Sequence, residues 1–153
     1  MKTFSLALDG VYQKPLIDLK DWYDLDALLD TGALFPVWTA RESLLPKLGG
    51  RFIKADVPFS GFGGETKGNL YRLKEFRIGD LVFPDLPVVT STEMEKEPYH
   101  MIISATMLQN LVYTIDDKNH RLTVEIPDDE NPERHMGIYD SNGRLYVLCG
   151  NAV

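Results

Sequence analysis

Turn signals recur along this chain, and what lies between them is short and mostly apolar or alternating. Asp9-Gly10, Gly79-Asp80, Asp117-Lys118-Asn119 and Asp140-Ser141-Asn142-Gly143 combine residues that tolerate or favour tight backbone reversal. The runs they punctuate read as strands: Thr3–Leu8, Pro15–Leu19, Leu25–Leu29, Arg51–Val57, Asn69–Phe76, a hairpin over Phe76–Phe83, Pro87–Thr90, Met101–Ile103, Val112–Asp116, Leu122–Ile126, Gly137–Tyr139 and Arg144–Cys149. Helical propensity is confined to a single turn over Ala40–Leu45, bounded by Thr39 and Pro46, and one short helix over Thr106–Leu111. The pattern predicts an all-β chain without internal repeats.

One strand ends differently from the rest. The apolar run Ala27–Leu29 stops at Asp30-Thr31-Gly32-Ala33, a carboxylate, a hydroxyl, a glycine and a small apolar residue. A carboxylate at a strand end is held by the sheet yet faces open space, and a following glycine lets backbone N–H groups come close enough to donate to it. That is a way to fix a catalytic acid. Downstream, Pro58–Gly68 carries Gly61, Gly63, Gly64 and Gly68 between two strands, so it predicts a soft β-hairpin able to cover a cleft.

Other chemistry finds little support. His100, His120 and His135 lie in apparent loops with no ligand spacing, so neither a metal nor another cofactor is expected. Gly61-Phe62-Gly63-Gly64 lacks the Lys-Ser or Lys-Thr that a phosphate loop needs, and no serine-nucleophile motif is present. The formal net charge is −7 with no basic block, which disfavours nucleic-acid backbones and anionic membranes as partners. A length of 153 residues suits one domain with a real core. Cys149 is the sole cysteine, which suits a reducing compartment. The apolar run in Met1–Leu8 is too short for a signal peptide and no stretch reaches membrane-spanning length, so a cytoplasmic location is expected.

Asp30-Thr31-Gly32-Ala33, then Ser60-Gly61-Phe62-Gly63-Gly64, then Met101-Ile102-Ile103-Ser104-Ala105 follow in the order of three motifs of the retropepsin-like aspartic proteases. The chain resembles that family over roughly residues 4–126. The resemblance implies an all-β acid-protease barrel with one short helix and one lobe per chain. The lobe would span residues 1–127, and residues 128–153 would add a loop and β-hairpin to the same domain. It implies catalytic roles for Asp30, Thr31 and Gly32, and substrate contacts from Ala33 and from a flap carrying Phe62, Gly63 and Gly64. Because aspartic-protease chemistry needs two carboxylates and the chain carries one such motif, it implies a homodimer that cleaves a peptide or protein substrate. The alternative is a dimer of the same fold that binds peptides or a protein partner without cleaving.

Several positions depart from the family pattern. Ser104 stands where the family has glycine, and Ala105 where an arginine often follows; the acidic partner of that arginine is absent as well. This joint loss points to a changed dimer contact. Many relatives carry serine where Ala33 stands, and loss of that hydroxyl beside the charged pair implies activity nearer neutral pH. The hairpin Gly137–Cys149 lies beyond the resemblance and is expected to be buried, in the subunit interface by preference or along its own barrel.

Overall fold

A computed structural model describes residues 1–8, 16–18, 25–61, 64–91 and 97–149. Twelve strands account for most of them: β1 (Lys2–Ala7), β2 (Leu16–Asp18), β3 (Asp26–Asp30), β4 (Val37–Trp38), β5 (Gly50–Gly61), β6 (Gly64–Ile78), β7 (Leu81–Thr90), β8 (Met101–Ser104), β9 (Val112–Asp116), β10 (Arg121–Ile126), β11 (Met136–Ser141) and β12 (Arg144–Cys149). Helical geometry among the described residues is limited to 3-10 turns at Glu42–Leu44, Pro46–Leu48 and Ala105–Leu108. The fold is all-β.

The strands form a three-stranded sheet, β1-β10-β9, and a nine-stranded sheet, β11-β12-β5-β6-β7-β4-β8-β3-β2. Along β10 every second side chain is buried: Leu122, Val124 and Ile126 face the core while their neighbours do not. Gly79, at the β6–β7 turn, has φ +54 and lies under the Phe4 ring, which a Cβ there would meet at 2.3 Å. That contact seats the small sheet on the large one and excludes every residue but glycine.

At the centre of the large sheet the pairing turns parallel. Ala27, Leu28, Leu29 and Asp30 of β3 lie opposite Met101, Ile102, Ile103 and Ser104 of β8, and β4 runs parallel to β7 but antiparallel to β8. Ala27–Leu29 and the whole of β8 are buried. Strands covered on both faces read as unbroken apolar runs, which is how both segments read. Trp38, Leu73, Phe76, Phe83 and Val89 fill the adjoining core with no exposure.

Some elements differ from their sequence-based reading, each for a physical reason. Pro46 opens a second 3-10 turn instead of ending the first, because an N-terminal helical position has no use for the N–H that proline lacks. The segment expected as a helix from Thr106 to Leu111 is a 3-10 turn over Ala105–Leu108, broken where Gln109 takes ψ 135. In the glycine-rich stretch the ladder continues outward through Val57↔Gly68, Phe59↔Thr66 and Ser60↔Glu65 to Gly61↔Gly64. Glycine weakens a strand but does not forbid its hydrogen bonds, and Val57 and Phe59, each 2% exposed, anchor this one. The turn-forming segment Lys20–Asp24, between the strands read at Pro15–Leu19 and Leu25–Leu29, lies outside the described residues.

The acidic loop after Ile126 is tied down by a buried cation. Arg134, 2% exposed, donates Nε–H to Met107 O at 3.1 Å and Nη2–H to Gln109 O, and its Nη1 lies 3.6 Å from Glu130 Oε2. It thereby satisfies carbonyls at the end of the last 3-10 turn. Beyond it the C-terminal hairpin packs along its own barrel: β12 pairs with β11 on one side and, parallel, with β5 on the other, Leu145 opposite Phe59.

Candidate active site

β3 carries its apolar residues inward and brings Asp30 to the rim, half-buried, while Thr31 and Gly32 are exposed. The chain reverses at once: Ala33 N–H donates to Asp30 O at 3.1 Å, closing a turn whose concave side holds the carboxylate. Gly32 N–H donates to Asp30 Oδ1 at 2.9 Å. A Cβ on residue 32 would sit 3.4 Å from that same oxygen, so glycine leaves this face of the carboxylate clear. The donated N–H holds the carboxylate in one orientation. Ala33 is half-buried and packs against the core, and Phe35 anchors the return of the chain.

Ser104 is the register partner of Asp30 and is fully buried. Its Oγ lies 2.8 Å from Thr106 Oγ1, so the hydroxyl that replaces a family glycine behind the acid is hydrogen-bonded rather than stranded. Tyr99, just ahead of β8, is buried, and its phenol is pushed up to about 12, first by burial and then by the charges of Glu97 and Asp30. Its carbonyl accepts the Thr39 hydroxyl at 2.7 Å. His100, read from sequence as a loop residue without a role, stitches this floor together. Its Nδ1 accepts Asp26 N–H at 3.1 Å, its own N–H donates to Asp26 O at 2.8 Å, and its carbonyl accepts from Thr39 at 2.9 Å and Ala40 at 3.2 Å. The aromatic and imidazole directly before a buried strand were the available sequence signal for both residues.

Of the residues singled out in sequence, Asp30, Thr31, Gly32 and Ala33 share one turn, and Gly64 closes the described part of the β5–β6 hairpin opposite Gly61. Phe62 and Gly63 lie outside the described residues. One strand connects the two regions. Leu145 of β12 lies opposite Phe59 in the hairpin, and two residues on, Val147 donates N–H to Leu34 O at 2.9 Å. Two strand residues span about 7 Å, so β12 holds the hairpin and the turn of Asp30 close together. Leu34 itself is 53% exposed, which leaves an apolar side chain beside exposed Thr31 and Gly32. Among the described residues no group of three or more His, Cys, Asp or Glu is placed to hold a metal ion, and no helix is long and apolar enough to cross a membrane.

Comparison with known proteins bears on this geometry directly. A family profile described as Aspartyl protease matches residues 18–105, a span that contains Asp30-Thr31-Gly32-Ala33, the glycine-rich hairpin and β8. Among solved structures, a retropepsin-like aspartic protease from Rickettsia conorii superposes with a TM-score of 0.51 at 15% sequence identity, covering 80% of this chain and 90% of that one. That likeness shows a retropepsin-like fold with a single lobe per chain. No curated protein sequence matches.

Proposed function

The chain belongs to the aspartyl protease family, and from that premise we propose that it is an aspartic endopeptidase whose working form is a homodimer. The observation that carries this reading is the turn at Asp30: a carboxylate at a strand end, oriented by the N–H of Gly32, with Thr31 and Gly32 exposed around it. Peptide hydrolysis of this type needs two carboxylates sharing one proton, the ionised one taking a proton from water and the protonated one polarising the scissile carbonyl. The chain carries one Asp-Thr-Gly, so the second acid comes from a second copy of Asp30 across a two-fold axis. Thr31 would tie the two turns together, and the exposed Leu34 would be covered by the partner. The hairpin ending at Gly61 and Gly64 would act as the flap over a bound peptide, with Ala33, Phe62, Gly63 and Gly64 contacting it. Alanine at 33 supports activity nearer neutral pH, in keeping with a cytoplasmic setting.

The test is cleavage of an unstructured protein by the wild type and by Asp30→Asn. The variant keeps the shape of the side chain but cannot take the proton from water, so activity falls by about 10²–10⁴-fold or more while circular dichroism and dimer mass are unchanged. Full activity in a contamination-free variant overturns the assignment. A second reading, a peptide-binding dimer that does not cleave, draws on β12, a strand of the chain's own that already lies between the hairpin and Leu34. It predicts that the wild type binds extended peptides and leaves them intact.

A further inference from the structure

Glu42 begins the 3-10 turn that follows β4, and it gathers side chains from a strand distant in sequence. Its Oε1 and Oε2 accept from Asn69 Nδ2 at 3.1 and 3.0 Å, and Oε2 also accepts the Tyr71 hydroxyl at 2.7 Å. Asn69 is a junction in turn: its N–H donates to Thr90 Oγ1 at 2.9 Å, and its Oδ1 accepts Asp56 N–H at 3.3 Å. One carboxylate therefore holds β6 directly and β5 and β7 through one intermediary.

The junction sits where the hairpin changes direction. The β5–β6 register shifts between Phe52 and Lys54 and again between Lys54 and Val57, and Asp56 takes φ +55. Bulges bend a strand and sharpen its twist, and a left-handed non-glycine residue persists only where its surroundings impose it. Outward from this point run Val57–Gly61 and Gly64–Gly68; inward, β6 enters the core through Leu70, Tyr71 and Leu73 while β5 leaves Phe52 and Ile53 exposed. Gly68, next to Asn69, lies so close to β7 that a Cβ would come within 2.0 Å of Thr90 O. The pivot of the hairpin is thus pressed onto β7 and latched by Glu42.

The other end of the latch is the floor of the candidate site. Trp38, fully buried, donates Nε1–H to Arg41 O at 3.0 Å, one residue before Glu42. Trp38 also pairs with Met101 on β8, the strand that backs Asp30. We propose that Glu42 is a positioning residue that sets the pose of the β5–β6 hairpin relative to Asp30, acting through Asn69 and Tyr71; the catalytic arm of this proposal rests on the protease reading above.

Hydrogen exchange by mass spectrometry on the full chain, together with kcat and KM on a flexible peptide, tests it in Glu42→Ala, Glu42→Gln, Tyr71→Phe and Asn69→Ala. Loss of a hydrogen bond to a charged group at the pivot speeds exchange in residues 57–68 by about tenfold while β3 and β8 exchange as before. KM rises by a similar factor and kcat changes little, because hairpin closure is disturbed and the acid is not. Glu42→Gln retains one acceptor oxygen and restores part of the effect. Adding Tyr71→Phe to Glu42→Ala changes nothing more, since both remove one network. Exchange that rises uniformly with a falling Tm marks a merely structural residue and overturns the proposal, as does unchanged exchange in 57–68. If the wild type cleaves nothing, the protease reading fails alone and the exchange data still decide whether Glu42 sets the hairpin.

Discussion

Val147 and Leu34 are joined by a backbone hydrogen bond of 2.9 Å that ties the C-terminal hairpin to the residue after Ala33. Val147 is fully buried and its strand also pairs with β5, so the hairpin supports the turn of Asp30 from within the same chain. Removing residues 136–153 is therefore expected to speed hydrogen exchange in 31–35, lower Tm by several degrees and weaken dimerisation and activity together at micromolar protein. A truncated chain with the wild-type Tm, exchange and activity would show that the turn stands unaided.

Mixing tests the shared site without altering the wild-type chain. If each active unit draws one acid from each of two copies, adding excess Asp30→Asn protein to a fixed amount of wild type traps wild-type chains in inactive mixed dimers. Peptide cleavage then falls towards zero as the variant is raised and the subunits re-equilibrate. Activity that holds constant under a large excess identifies a monomeric catalyst or no exchange, and subunit exchange measured by mass spectrometry separates those two.

Ser104 offers a graded test of the packing behind the acid. Ser104→Ala removes the Thr106 partner at a cost of about 1 kcal/mol, with cleavage nearly retained. Ser104→Val puts extra bulk where no space is exposed, costs about 1–3 kcal/mol and lowers kcat, because displacement of β8 moves its register partner Asp30. Thermal unfolding and kcat measured on both variants check the ordering, and equal effects from alanine and valine would contradict it.

Alkaline pH is expected to destabilise the protein through its buried phenols. Tyr71 is pushed up to about 12 by burial first and then by its bond to Glu42 and that carboxylate's charge, and Tyr99 reaches about 12 by burial and the charges of Glu97 and Asp30. Between their ordinary value of 10.0 and about 12, the unfolded chain has released protons that the folded chain still holds. Stability is then flat below pH 10 with respect to these groups and falls as pH rises above it. Denaturant midpoints from pH 9 to 12 will show the decline, and Tyr71→Phe will make it shallower; a flat profile in both proteins would rule the mechanism out.

Local chemistry made much of this fold readable. Asp117-Lys118-Asn119 sits in a turn because Asp116 accepts the N–H and side-chain amide of Asn119 at 3.0 and 2.8 Å, contacts that neighbours in sequence can specify by themselves. Asp140 likewise accepts the backbone N–H of Gly143 at 2.8 Å. The place of Asp30 was legible for a similar reason, since the apolar run stops at a carboxylate followed by the glycine that donates to it. Relations across the barrel were not. Nothing near Glu42 in sequence announces Asn69 and Tyr71, and nothing in an acidic loop announces a buried Arg134. The glycines of residues 61–68 suggested softness, but Phe59 is buried and lies opposite Leu145, a residue far along the chain.

The parallel pairing of β3 with β8 also sets a timetable for biosynthesis. β3 ends at Asp30, and the strand that covers it is finished only at Ser104, after β4 to β7 have been made. Closing so long a loop precedes any reward from the contacts it brings, so this pairing belongs to the late, slow part of folding. A nascent chain would thus carry Asp30 on a strand paired with β2 alone until Ser104 had been made.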